Sequence, residues 1–339
     1  MIVSVEIKKI IFTRVCACGN PRVFFQHVGK DMVIRMNNII EVSRFSKSYG
    51  DFKAVDDISF DVKAGEIFAF LGPNGAGKST TINTLCTILD KTSGIMTING
   101  HDVAKEKEKV RKDIGIVFQD STLDARLTVE ENLRFHCHFY KVPKNQIEER
   151  INFVLNLVEL SDWKKVKVAG LSGGMKRRVE IARGLVHYPK VLFLDEPTTG
   201  LDPQTRANVW EYIRRLQKQK NITIFLTTHY MDEAEICSNV AIMDHGKIIA
   251  YDTPENLKKQ YTNTILQIDC KIPEEIEDYL NCESIVHEIC NRHIIINTTQ
   301  PSKALELLTR FKENITDFEV KKGTLNEVFL AITGKEIRA

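Results

Sequence analysis

Ile67-Phe68-Ala69-Phe70-Leu71-Gly72-Pro73-Asn74-Gly75-Ala76-Gly77-Lys78-Ser79 decides the fold of this chain. Five unbroken apolar residues read as a strand covered on both faces. The next eight residues follow the spacing G-x-x-x-x-G-K-S, and a helix is predicted from Ser79 to Leu89. Strand, glycine loop and helix in that order form a phosphate cradle. Glycines at 72, 75 and 77 let the backbone fold round an anion, with its N–H groups and the helix N-terminus turned inward. Lys78 supplies a point charge for β- and γ-phosphates, and Ser79 supplies a hydroxyl for Mg2+. Pro73, Asn74, Ala76 and Thr80 complete the nucleotide-binding set.

A second stretch supplies what the cradle needs. Val191-Leu192-Phe193-Leu194-Asp195-Glu196 is a buried strand ending in two carboxylates, at the end where open α/β sheets bind ligands. Asp195 is placed to hold Mg2+, directly or through water. Glu196 is placed to take a proton from an attacking water. Gln119 follows the strand Gly115 to Phe118, where an amide binds Mg2+ or orients water. His229 follows the strand Ile222 to Leu226 and is set to hydrogen-bond a γ-phosphate. Tyr49, upstream of the loop, offers a ring to an adenine.

Outward from these stretches, strands and helices alternate over residues 36–252. Ile39 to Phe45, Ile58 to Val62 and Val240 to Met243 are further strands. Residues 120–186 read as a nearly all-helical insert. In it Thr128 opens a helix with a Thr-Val-Glu-Glu cap, and Ile151, Val154, Leu155 and Val158 mark one apolar helical face. The fold class is therefore α/β. Residues 262–339 change character and read as a small α+β accessory domain, with helices Glu274 to Leu280, Ser302 to Lys312 and Leu325 to Ile332 between short strands. Residues 1–35 form a basic leader, with Lys8, Lys9, Arg14, Arg22, Lys30 and Arg35 against Glu6 and Asp31. Lys8 and Lys9 break its apolar stretch, which argues against a secretion signal. A flexible tail, or a true start at Met32 or Met36, are the readings left.

Bulk properties narrow the function. A net charge of +2 over 339 residues lacks the basic excess of a dedicated nucleic-acid binder. No apolar run approaches the roughly 18–20 residues that span a bilayer. The eight cysteines are scattered, as suits reduced thiols in a cytosolic protein. His136-Cys137-His138 has metal-ligand residue types, but neighbouring helical positions diverge round the axis. Lys176, Arg177 and Arg178 read as a solvated or subunit-facing basic surface.

Together these residues resemble the nucleotide-binding subunit of ABC transporters. The order is that of the family: aromatic Tyr49, Walker A Gly72 to Ser79, Q-loop Gln119, signature Leu171-Ser172-Gly173-Gly174-Met175, Walker B Val191 to Glu196, D-loop Gly200-Leu201-Asp202-Pro203 and switch His229. The resemblance implies a P-loop NTPase core of ABC type, with an antiparallel β edge and a helical insert. It also implies ATP and Mg2+ as cofactors and a head-to-tail homodimer formed on ATP binding. In that dimer Ser172, Gly173 and Gly174 contact the γ-phosphate held by the other copy, and Asp202 lies at the shared site. The Gly-Gly pair removes side chains where a backbone approaches an anion. A separate integral membrane permease is the implied partner, which places the chain on the cytoplasmic face of the membrane; no nucleic acid is implied. Met175 stands where the common pattern has Gln. With Leu325 to Leu330 near the C-terminus, it resembles the daunorubicin and multidrug exporter ATPases. The expected function is the ATPase of an exporter; an importer ATPase and a soluble non-transport ABC ATPase are the alternatives.

Overall fold

The computed structural model describes residues 38–298 and 301–334; the expected leader and the last residues of the accessory domain lie outside them. The first two strands are longer than their apolar patterns suggest. β1 (Asn38–Tyr49) and β2 (Phe52–Lys63) form an antiparallel hairpin. Its turn is made by Gly50 at φ 57°, a left-handed geometry that costs glycine little. β3 (Ile67–Leu71) is buried at every residue and leads into α1 (Lys78–Leu85). β4 (Ser93–Ile98) and β5 (His101–Asp102), unmarked by any sequence pattern, extend the hairpin into a sheet of order β2-β1-β4-β5. α2 (Lys107–Asp113) then leads to β6 (Ile114–Val117).

The insert is less continuous than a run of helix. It holds α3 (Val129–Phe139), α4 (Ile147–Leu157) and α5 (Gly173–Leu185), joined through short 3-10 turns at Lys144–Gln146, Ser161–Trp163 and Val168–Gly170. Thr128 caps α3 in the expected way: its hydroxyl accepts from Glu131 N–H and Glu131 accepts from Thr128 N–H.

After the insert come β7 (Val191–Asp195), α6 (Pro203–Lys220), β8 (Thr223–Thr228), α7 (Met231–Ala234), β9 (Asn239–Asp244) and β10 (Lys247–Asp252). The main sheet has the order β10-β9-β3-β8-β7-β6; its strands are parallel except β10. Period-2 alternation divides its side chains between two cores. Phe68, Phe70, Phe193 and Phe225 face α1 and the antiparallel sheet, in an aromatic cluster with Phe60. Ala69, Leu71, Leu192, Leu194, Ile224 and Leu226 face α5, α6 and the insert. β8 lies between β3 and β7, with Thr228 beside Leu71 and Thr227 beside Asp195.

α8 (Pro254–Tyr261) leads to β11 (Thr264–Cys270), α9 (Pro273–Cys282), β12 (His287–Cys290), β13 (His293–Thr298), α10 (Pro301–Arg310), β14 (Ile315–Lys321) and α11 (Leu325–Thr333). The strands pair antiparallel in the order β12-β13-β11-β14. Leu266, Ile268, Ile276, Leu280, Ile294, Ile296 and Leu307 form a core of their own there. α11 leaves that core. Its Leu325, Val328 and Phe329 are buried with Leu257 of α8 in the core beneath the main sheet.

Candidate functional site

The site is built where the ends of β3, β7 and β8 meet. The loop after β3 needs its glycines for two reasons. Gly75 and Gly77 hold φ of 82° and 102°, and a Cβ on Gly77 would stand 2.7 Å from the carbonyl oxygen of Ala54. Lys78 is buried. Its Nζ donates to the carbonyls of Gly72 (2.7 Å) and Pro73 (3.0 Å) and lies 3.8 Å from Glu196 Oε1. Burial lowers its pKa, against the pull of Glu196 and Asp195. Tyr49, Phe52, Asn74, Thr80, Gln119 and Glu196 join the loop round an open cavity of about 300 Å3.

The carboxylates are held by the neighbouring strand. Thr227 Oγ1 donates to Asp195 Oδ1 (2.5 Å) and accepts from Glu196 N–H (3.0 Å). Glu196 has φ 45°, a left-handed conformation that burdens a residue with a Cβ. Thr199 Oγ1 donates to Glu196 Oε2 at 3.1 Å. His229 Nδ1 stands 3.4 Å from the same oxygen. Ser79 Oγ donates to Asp195 Oδ1 at 3.2 Å. A serine hydroxyl, a carboxylate and the Gln119 amide are hard oxygen donors, so this set fits Mg2+.

The signature residues lie elsewhere. Ser172 caps α5, its Oγ accepting from Met175 N–H (3.3 Å), and Ser172 and Gly173 are exposed. Asp202 caps α6, accepting from Thr205 N–H (3.0 Å) and Thr205 Oγ1 (2.6 Å); that hydroxyl holds its carboxyl below the usual range. Ser172, Gly173, Gly174 and Asp202 do not line the cavity. Within one chain, Tyr49, Gly72 to Thr80, Gln119, Asp195, Glu196 and His229 converge; Ser172, Gly173 and Asp202 face outward, and Gly174 is half-buried against Thr205.

Reading the sequence missed four supports. Arg177 is not a solvated basic residue: it is buried, and its guanidinium reaches the backbone behind the carboxylates. Its neighbour Arg178 is half-buried, with its Nη1 on Val158 O and the Tyr212 hydroxyl. Phe52 puts a second exposed ring beside Tyr49. Thr227 was hidden in a strand otherwise read only for its apolar run. Glu233 of α7 is buried and gathers the Thr198 hydroxyl, Trp210 Nε1–H (3.1 Å) and the Thr228 hydroxyl (2.5 Å). One carboxylate thereby joins the segments after β7, along α6 and before His229. The polar residues that end β8 were the one visible signal. Across His136-Cys137-His138, Cys137 is buried in the core and His138 is exposed.

Comparison with known proteins adds family and subgroup. The ABC transporter family model matches residues 55–199. The model described as "ATP-binding protein DrrA1-3-like, C-terminal domain" matches residues 253–333. The chain is 37% identical over 305 residues to the daunorubicin/doxorubicin resistance ATP-binding protein DrrA of Streptomyces peucetius, covering 87% of this chain and 92% of that protein. It is 41% identical over 225 residues to the probable multidrug ABC transporter ATP-binding protein YbhF of Escherichia coli (strain K12). That match covers 66% of this chain and spans only 39% of YbhF. Among solved structures, cbiO1 from Clostridium perfringens, part of the ABC transporter complex cbiONQ, aligns with a TM-score of 0.62 at 32% identity, covering 72% of this chain and 95% of that one.

Proposed function

The chain belongs to the ABC transporter family, as an ATP-binding and hydrolysing subunit related to the daunorubicin and multidrug-resistance ATPases, and we propose that it drives an exporter by closing on a second copy of itself round ATP. Adenine stacks on Tyr49, and the phosphates take backbone N–H groups of the loop from Gly75 to Thr80. Lys78 exchanges the Gly72 and Pro73 carbonyls for phosphate oxygens. Ser79, Asp195 and Gln119 would hold Mg2+, which neutralises phosphate charge when bound. Glu196 receives the proton of the water that attacks the γ-phosphorus; the bond to the β–γ bridging oxygen breaks, and ADP and phosphate leave. His229 hydrogen-bonds the γ-phosphate and responds to its departure.

One observation carries this reading: Lys78, Glu196 and His229 converge in one chain, whereas Ser172 and Gly173 stand exposed outside the cavity. A signature that does not serve its own cradle is suited to serve another copy's, with the N-terminus of α5 toward the anion. Among the described residues no helix is long and apolar enough to cross a membrane. In the same reading the chain sits on the cytoplasmic face of the membrane, where a separate integral membrane permease receives the motion. Phe135 and Phe139, exposed one turn apart on α3, suit that contact. A drug, a lipid or another small molecule is the proposed cargo class, and the relatives' names favour a drug.

The test is Glu196→Gln. The variant is expected to bind ATP, to hydrolyse it about 10²–10⁴-fold more slowly, as loss of a general base does, and to accumulate as a dimer in ATP and Mg2+ during gel filtration. Turnover at the wild-type rate removes Glu196 from its role. A variant that stays monomeric with ATP bound rules out the two-copy site.

A further inference from the structure

We propose that Arg177, Glu180 and Arg183 form a clamp through which α5 positions the Gln119 loop and the backbone of the Asp195-Glu196 pair. The three are spaced i, i+3, i+6 and share one face of the helix. All three are buried. A guanidinium taken out of water is costly unless every donor is used. Arg177 uses all five. Its Nε–H goes to Pro197 O (2.6 Å). Nη1 donates to Phe118 O (2.5 Å) and Glu180 Oε2 (3.0 Å), and Nη2 to Asp195 O (3.2 Å) and Glu196 O (3.3 Å).

Four of those acceptors are backbone carbonyls. They belong to the residue before Gln119 and to three successive residues at the end of β7. Glu180 Oε1 accepts from Thr122 N–H (3.1 Å), and Arg183 Nη1 donates to the Thr122 hydroxyl. The clamp therefore grips the Gln119 loop at both sides of the glutamine and grips the carboxylate turn from behind. A long apolar side chain at 177 fills the same volume; it fixes no backbone.

α5 also carries Ser172 and Gly173 on its exposed end. This step rests on the proposal that those residues complete the site of a second copy. Phosphate bound against one copy's α5 then shifts the Gln119 loop and Glu196 of that same copy, which act on its own ATP. Arg177 is a positioning residue in this account. It touches no substrate; it ties the two sites of the dimer together, so turnover depends cooperatively on ATP.

The experiment uses the full chain with ATP and Mg2+. Arg177→Met keeps the stem and loses the donors; Arg177→Lys keeps one charge and loses the fork. Thr122→Val, on an exposed loop, removes only the Arg183 contact and leaves the fold intact. Turnover is expressed per nucleotide bound, so that a misfolded fraction cannot imitate the effect. The expected result for Arg177→Met is a fall in kcat of at least about tenfold, as for a misplaced catalytic group. Its affinity for ATP is expected to hold, and its Hill coefficient to fall to one. Arg177→Lys lies between, and Thr122→Val lowers the Hill coefficient with a smaller loss of kcat. Wild-type kcat and Hill coefficient in Arg177→Met overturn the clamp, and so does a loss that disappears when turnover is expressed per bound nucleotide. Glu196→Gln separates the two ideas. If it stays monomeric in ATP, the two-copy reading falls and takes the cooperative arm with it. If it dimerises and Glu196→Gln/Arg177→Met dimerises equally well while Arg177→Met alone turns over normally, the clamp alone falls.

Discussion

Thr227→Val should disable Glu196 without touching it. Thr227 is fully buried at the end of β8, and valine has its shape and its preference for a strand. The substitution removes one donor and one acceptor. Asp195 loses a 2.5 Å bond from a hydroxyl, and bonds to charged groups contribute about 1.5–3 kcal/mol. The Glu196 N–H, at 3.0 Å from Thr227 Oγ1, loses its acceptor, which costs about 1–3 kcal/mol for a buried donor. Burying a methyl group in place of the hydroxyl returns part of this, about 1 kcal/mol. The net loss is about 1.5–5 kcal/mol. Glu196 meanwhile sits at φ 45°, a conformation that persists only while its surroundings enforce it. With its N–H released the residue relaxes toward ordinary φ, and a 1 Å displacement of a catalytic group costs about 10²-fold in rate. Calorimetry should show Tm lowered by roughly 2–8 °C. Phosphate release should fall far more than ATP affinity. Thr227→Ser keeps the hydroxyl and should keep most of the activity. Thr227→Val with wild-type turnover and a Tm within about 1 °C of wild type would refute the argument that β8 holds the catalytic turn.

Three further outcomes follow from other parts of the fold. Replacing Phe135 and Phe139, both largely exposed, with serine should leave ATP turnover in solution unchanged and abolish co-fractionation with membranes; retained co-fractionation excludes these rings from the docking face. His187 stacks on Tyr140 with centroids 3.7 Å apart, and burial holds both His187 and His136 at about 4, below the ordinary 6.5. A lowered folded pKa makes the unfolded chain the better proton binder, so their contribution is whole above pH 6.5 and is lost as pH falls toward 4. Thermal melts of His187→Phe should decline less steeply across that window, and an unchanged slope contradicts the assignment. Phe329→Ala should cost about 3–5 kcal/mol, the range for a core phenylalanine, and denaturant titration should show it destabilising the ATPase core.

Legibility in the sequence followed the physics that each element obeys. β3, β7 and β8 are buried on both faces, so their apolar runs stand out within one or two residues of their true ends. β4, β10 and β12 carry exposed positions and mixed patterns, β5 is two half-buried residues, and nothing local marks any of them. The phosphate loop and the two carboxylates were legible because their chemistry needs fixed residues at fixed spacing. Their supports were not. Thr227, Arg177 and Glu233 act through strand order and helix packing, which bring residues far apart in the chain to one turn. α11 shows the same limit. Its pattern gives an amphipathic helix, and only packing reveals that its apolar side belongs with α8 and not with the sheet it follows.

The two signature glycines separate on the same ground. Read from sequence, Gly173 and Gly174 both leave room for a backbone to approach an anion. A Cβ on Gly174 would stand 2.4 Å from Thr205 Cγ2, so its lack of a side chain lets α5 pack on the first turn of α6. Thr205 is in turn fixed by Asp202. Gly173 has nothing nearer than Leu201 Cδ2 at 3.9 Å and is exposed. In the proposed two-copy site Gly173 is therefore the residue whose bareness would serve a ligand, and Gly174 is the one that keeps the N-termini of α5 and α6 side by side. Through Gly174 and Thr205 the exposed ends of the signature and of the Asp202 segment form one surface, which a second copy would meet as a unit in the proposed dimer.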